Sequence, residues 1–506
     1  MVITLLIFLA AIALLLWGFN RARPYGKVGI FAWLQSVVLM LPWLLFFGLF
    51  SIGIYLNLAG VLVLVVASAG LYIYLGRRLR AMGKDELVAQ RMAAMVAASE
   101  QAKADTDASA TNSEATETTA PSQPENADSE AAKATEATSI PTADLTALEG
   151  IFGIDTFFRT ETVPYEQGAI FKGNLRGQPE ESLAKLTRLA EERLGNAYRL
   201  FLIQDPSNKP VVVALPKSAD PQPLTSLQKG LAVALAIATC LTCLEVSGIL
   251  MGFDLFSTPG QWPSTLPIGL GILSILITHE IGHWVVAQQR GMKLSWPFFL
   301  PAWEIGSFGA LTRIESILPD RKTLFDIAFA GPAAGGLLSF GMLLVGLVLS
   351  HPGSKFQIPV EFFQGSVLVG ALAKGILGSA LSEPLVDVHP LTIVGWLGLV
   401  ITALNLLPAG QLDGGRIVHS IYGRKTAGRA TVITLIILAI ASLANPLALY
   451  WAALILFLQR NLERPALNEL TEPDDARAAL GLLVLFLTLA TLLPLTPSLA
   501  GRLGIG

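Results

Sequence analysis

Long apolar runs, each closed by a basic cluster or a Gly/Pro break, set the layout of this chain. Residues 2–19 are almost wholly apolar and are followed by Arg21, Arg23 and Lys27. Residues 28–49 and 52–75 repeat the pattern, and Arg77, Arg78, Arg80 and Lys84 close it. About 20 apolar residues in a row is the length that crosses a bilayer as a helix, so the pattern predicts three spans within residues 1–91. Positive charge collects on the cytoplasmic side, which predicts an N-terminus outside. The charge follows the first apolar core and no small-residue cleavage site succeeds it, so a retained span is expected rather than a secretory signal.

Residues 92–144 are rich in Ala, Ser, Thr, Glu and Asp, with scarcely an aromatic or branched side chain. Such a segment cannot bury enough apolar area to offset its ordering entropy, and it is expected to be a disordered acidic linker. From 145 to 225 the pattern turns globular. Alternating or continuous apolar runs at 168–173, 198–203 and 210–215 predict strands. Leu183, Leu186, Leu189 and Leu194 fall at helical spacing behind Glu180 and Glu181, which predicts a helix between them. This is a small cytoplasmic α+β domain without a catalytic constellation of its own, expected to gate or dock substrate.

The apolar pattern resumes over 226–506. Spans are predicted at about 230–250, 265–289, 325–349, 391–407 and 480–495, and residues 431–458 are expected to form one long span or a hairpin broken at Asn445-Pro446. Residues 296–313 are too broken by Pro297, Pro301, Gly306 and Gly309 to span and too apolar for a loop in water, so a re-entrant or interfacial segment, such as a hairpin, is expected. Arg290 and Lys293 mark a cytoplasmic end, and Arg416, Arg424, Lys425 and Arg429 mark a cytoplasmic loop. The fold class is an α-helical polytopic membrane protein of about 8–10 spans with a small cytoplasmic α+β domain.

Composition agrees. Of the 506 residues 53% are hydrophobic and 14% charged, against roughly 25% charged in a soluble protein. A net charge of −3 gives no argument for nucleic acid as a partner. Cys240 and Cys243 are the only cysteines. Within an apolar run and without a βαβ context, their C-x-x-C spacing reads as two small buried hydrophobes rather than a redox or metal motif. His351 and His389, each before a proline in a connecting segment, read as loop histidines.

One stretch carries chemistry. Thr278-His279-Glu280-Ile281-Gly282-His283 lies inside the predicted 265–289 helix. His279 and His283 stand one turn apart on a shared face, so both imidazoles can hold a single Zn²⁺. Glu280, beside them, can take a proton from water activated by that metal. Three such groups are costly in a lipid-spanning helix, and a functional reading is the default there. The bland alternative is a coincidence on a soluble core helix. His279 sits on the order of 15 Å from the cytoplasmic end at 1.5 Å per residue, so the site must line a polar cavity. The span at 391–407 ends in Asn405-Leu406-Leu407-Pro408-Ala409-Gly410-Gln411-Leu412-Asp413-Gly414. Asp413 is the best available third ligand, completing a two-nitrogen, one-carboxylate set for one Zn²⁺ per chain. Asn405 has two readings: support for an oxyanion or the substrate strand, or a helix–helix hydrogen bond. Gly331-Pro332-Ala333-Ala334-Gly335-Gly336 opens the 325–349 span, where small residues permit close helix packing.

H-E-x-x-H in one span paired with N-x-x-P-x-x-x-L-D-G ending a later one resembles the site-2 protease family of intramembrane metalloproteases, and Gly331-Pro332-Ala333-Ala334-Gly335 is similar to that family's G-P-x-x-G. Gly173-Asn174-Leu175-Arg176-Gly177 and Pro297-Phe298-Phe299-Leu300-Pro301 resemble its EGY-type branch of plastids and cyanobacteria. The resemblance covers residues 145–470. It implies a zinc endopeptidase, with residues 226–506 as its core and C-terminal spans, that cuts in or next to transmembrane segments of membrane-embedded protein substrates. It further implies His279, His283 and Asp413 as ligands, Glu280 and Asn405 as catalytic groups, and a 296–313 segment that presents substrate as a strand. A bacterial, cyanobacterial-like plasma or thylakoid membrane is expected, with the site toward the cytoplasm. Rival readings are a proteolytically silent scaffold or chaperone of the same fold, and a metal transporter using the same ligands.

Overall fold

The computed structural model describes residues 140–506 apart from a few single positions, together with scattered helical positions between 18 and 78. The three spans expected in residues 1–91 and the expected linker therefore lie almost wholly outside the described residues.

The first described elements are α1 (Thr142–Glu149), β1 (Phe157–Tyr165), β2 (Gly168–Leu175), α2 (Pro179–Leu194), β3 (Tyr198–Gln204) and β4 (Pro210–Pro216). The strands form one antiparallel sheet in the order β1-β2-β4-β3. α2 starts on Pro179 with two glutamates in its first turn and stops at Gly195, whose φ is 58°, as pre-set φ and the helix dipole favour. Its Leu183, Leu186 and Ala190 pack on Phe171, Leu202 and Val212 of the sheet. Strand β1 and helix α1 extend the expected elements. β1 escapes pattern reading because Arg159, Thr160 and Glu161 interrupt its apolar positions. It is an edge strand, bulged between Arg159 and Glu161, and edges of this kind are commonly polar and bulged.

The opposite edge is covered. The Leu202 amide donates to the Leu467 carbonyl (2.7 Å), and the Glu469 amide donates to the Leu202 carbonyl (2.9 Å). The segment around Asn468 thus lies parallel to β3 and ties the sheet to the chain's later half.

The helical part begins with α3 (Ser226–Leu250), capped reciprocally by Thr225 and Gln228, and α4 (Trp262–Gln289). Then come the hairpin β5 (Phe298–Ala302) and β6 (Gly306–Leu311), α5 (Arg321–Leu349), β7 (Phe356–Pro359), α6 (Val367–Leu377), β8 (Leu385–Val388) and α7 (Pro390–Asn405). α8 (Asp413–Ala441), broken at Gly423, α9 (Pro446–Leu454) and α10 (Asp475–Leu492) follow. Asn445 Oδ1 accepts from the Leu447 amide and caps α9, so the chain does turn at Asn445-Pro446. Among the described residues, four helices are long and apolar enough to cross a membrane: α3, α4 with the turn before it, α5 and α10. α7 is shorter, at 16 residues, and ends in the turn that leads to Asp413.

The expected re-entrant segment is the β5–β6 hairpin. Its pairing continues outward through Ser295 to Arg313 (2.8 Å) and Glu315 to Lys293 (2.9 Å). A buried cluster centred on Ile272, Ile275, Leu343, Ile393 and Val394 joins α4, α5 and α7. Those are the helices that bring the polar motifs together.

Candidate metal centre

α4 buries His279 and His283 on its inner face, as one-turn spacing requires. Asp413 is the first residue of α8, delivered by the turn that follows Asn405. Its Oδ2 stands 3.1 Å from His279 Nε2 and 3.4 Å from His283 Nε2, and the two Nε2 atoms are 3.1 Å apart. Ligand atoms held at 2.0–2.1 Å around a tetrahedral Zn²⁺ stand about 3.3 Å from one another. The three protein atoms therefore already have the edge lengths of such a site. They are the one group of three or more His, Cys, Asp or Glu side chains so arranged among the described residues.

The ring orientation is set from behind. His283 Nδ1 lies 2.7 Å from the Ile327 carbonyl of α5. A carbonyl can only accept, so the proton is on Nδ1 and Nε2 presents its lone pair to the centre. α5 can approach this closely because residue 331 is glycine: a Cβ there would lie 2.2 Å from His283 Nε2. The Gly-Pro-Ala-Ala-Gly run thus makes room for the imidazole itself, beyond general helix packing.

Glu280 is adjacent, and its Oε2 accepts from Thr312 Oγ1 at 2.6 Å. Thr312 directly follows β6, so the hairpin positions it. The Thr312 carbonyl accepts from Arg416 Nη2 (2.9 Å), and Arg416 Nη1 is 3.9 Å from Asp413 Oδ1. Arg416 also pairs with Glu463 at 2.8 Å, and both side chains are less than a tenth exposed. The sequence reading places Arg416 in a basic cytoplasmic loop; here it is a buried cation within the centre's surroundings. Neither Thr312 nor Glu463 carries a sequence signal, because each acts through a contact distant in the chain.

Asn405 is not in the ligand group. Its Nδ2 donates to the Phe308 carbonyl of β6 (3.2 Å) and to Ile401 in its own helix (2.9 Å). It holds the hairpin against α7 rather than bonding one helix to another. A cavity of about 20 Å³, bordered by His283, Thr312, Asn405, Asp413 and Arg416, lies beside the group, and that is room for one water. His389 Nδ1 caps α7, and His351 bonds to the neighbouring Pro352 carbonyl; neither approaches the centre. Cys243 is buried in the apolar core, and both cysteines are free.

Two family models match the chain: an "EGY3 middle domain" over residues 146–223 and "Peptidase family M50" over residues 268–444. The chain is 41% identical over 363 residues to a protein of Arabidopsis thaliana named "Probable zinc metalloprotease EGY2, chloroplastic", covering 70% of this chain and 65% of that protein. It is 38% identical to the Arabidopsis thaliana protein named "Probable zinc metalloprotease EGY1, chloroplastic", covering 70% of this chain and 72% of that protein. The EGY1 protein of Oryza sativa subsp. japonica, also named a probable zinc metalloprotease, is 36% identical, with 72% and 70% covered. The chain thus spans about two thirds of the length of the curated relatives it matches. No solved structure matches it.

Proposed function

Because the chain belongs to peptidase family M50, in its EGY branch of zinc metalloproteases, we propose that it is an intramembrane zinc endopeptidase. Its substrates are membrane proteins cut in or next to their transmembrane segments. The observation that carries this reading is the convergence of His279, His283 and Asp413 at 3.1–3.4 Å, with Glu280 at their side. Those three residues would hold Zn²⁺, which would supply Lewis-acid activation of water at neutral pH.

The chain's own groups do the rest. Glu280 accepts the proton of the attacking water and returns it to the leaving amine nitrogen. Thr312 occupies one of its carboxylate oxygens and leaves the other for the proton. The β5–β6 hairpin, held by Asn405, takes the substrate as an added strand. Extended pairing matters because a helical substrate keeps its carbonyls in internal hydrogen bonds, away from attack.

A bilayer location is supported by the four long apolar helices. It is supported also by their outward faces, where Leu270, Ile277 and Trp284 of α4 and Leu482, Phe486 and Leu489 of α10 are more than half exposed. A face so apolar is suited to lipid rather than water. Arg290 and Lys293 beyond α4 support a cytoplasmic orientation for that end and for the site, in a bacterial plasma or thylakoid membrane. The test is cleavage of a single-span substrate by the purified full chain in detergent. Glu280→Gln is expected to abolish cutting while zinc stays bound; unchanged cutting would overturn the reading.

A further inference from the structure

We propose that Thr312 is a positioning residue that orients Glu280 for proton transfer. This rests on the peptidase reading above and assigns the chain a functional group outside both sequence motifs.

A glutamate has three rotatable side-chain bonds, and a proton acceptor must be held to within a fraction of an ångström of its working place. Glu280 receives its restraint from Thr312 Oγ1, whose hydroxyl donates at 2.6 Å to Oε2. Thr312 is itself fixed at both ends. Its chain neighbours are locked in the prolonged hairpin, where the Arg313 amide donates to Ser295 Oγ at 2.9 Å. Its carbonyl accepts from Arg416, which pairs with Glu463 and reaches toward Asp413. One buried guanidinium thus fastens the residue that holds the base to the same frame as a carboxylate of the metal group. A threonine present at this strand end for its β-branched shape alone would have no need of the hydroxyl bond to Glu280.

The two roles separate in Thr312→Val, which keeps the shape and removes the hydroxyl. In the full chain, with a single-span substrate, it is expected to lower kcat by about 10- to 100-fold while KM stays within about threefold. Zinc content and the unfolding temperature are expected to match the wild type. Thr312→Ser, which restores the donor without the methyl group, is expected to recover kcat to within about fivefold. A wild-type kcat in Thr312→Val overturns the proposal, as does loss of zinc in parallel with kcat, or failure of serine to rescue. Glu280→Gln run alongside distinguishes the failures: if it too cuts normally, the peptidase reading falls; if it is inactive while Thr312→Val is unimpaired, only this proposal does.

Discussion

Asp413 Oδ2 lies 3.1 Å from Nε2 of His279, although 134 positions separate the two residues. That contact is made by the turn after α7, which folds the start of α8 back against α4. Two like-charged or lone-pair-bearing groups do not gather this closely without a shared cation or proton. Asp413→Ala is therefore expected to reduce zinc affinity by more than about 100-fold, since it would remove a proposed ligand outright where loss of a supporting group already costs about 10–100-fold. Elemental analysis of the purified chain after dialysis against a mild chelator measures this. Full retention of zinc would place the third ligand elsewhere.

Gly331 offers a sharper probe of the same centre, because the fault lies on a different helix. A methyl at 331 would fall 2.2 Å from His283 Nε2, inside the imidazole. At Gly336, on the same helix, a Cβ would meet Thr402 Cγ2 at an ordinary 3.4 Å. Gly331→Ala is expected to displace His283, release zinc and destabilise the fold by about 1–3 kcal/mol. Gly336→Ala is expected to keep both zinc and stability. Equal behaviour of the two variants, read by zinc content and thermal unfolding, would contradict the geometry.

The division between what the chain announced and what it concealed follows from range. Helical spacing alone puts His279 and His283 on one face, and a Gly-rich turn after a span marks Asp413. The broken apolar stretch around Pro297 and Gly309 reads as a re-entrant or interfacial segment, with a hairpin as one form of it, because it is too broken to span and too apolar for a loop in water. Arg416 was legible only as a charge. In a chain of apolar helices a basic residue reads as a topology marker, and its partner Glu463 stands 47 positions away. Thr312 has no pattern at all, since a threonine beside a strand is ordinary until Glu280 is found against its hydroxyl. Strand β1 was hidden for the opposite reason: as an edge it needs little apolar surface, so its polar run resembles a loop.

A second buried pair gives a pH dependence. Glu469, which joins the Asn468 segment to β3, accepts from His419 Nε2 at 3.2 Å. Burial pushes its carboxyl upward, but the His419 bond, the Ala466 amide and Arg424 outweigh burial and hold it below the ordinary 4.5. A carboxyl depressed in the folded state binds fewer protons than in the unfolded chain, so its stabilisation is present above pH 4.5 and is lost as pH falls through the folded value. Glu469→Gln should cost roughly 1.5–3 kcal/mol at neutral pH, the worth of a hydrogen bond to a charged group. It should also flatten the fall in unfolding temperature below pH 4.5. An acid limb identical to that of the wild type would assign the loss to other carboxylates.

Asn405 and Gly309 form the last testable contact. Asn405 Nδ2 donates to Phe308 of β6, and the neighbouring Gly309 has φ 101°. A Cβ at 309 would stand 2.3 Å from that same Nδ2. Gly309 therefore serves the approach of Asn405 as well as the positive φ that the strand's backbone adopts there. Neither residue touches the metal group, so Asn405→Ala and Gly309→Ala should both leave zinc content intact. Each loosens the strand expected to hold the substrate, and kcat/KM should fall by about 10- to 100-fold in both. Because the two substitutions break one contact from opposite sides, the double variant should be little worse than either alone. Additive losses in the same cleavage assay would mean that Asn405 acts on the reacting carbonyl directly, and not through the hairpin.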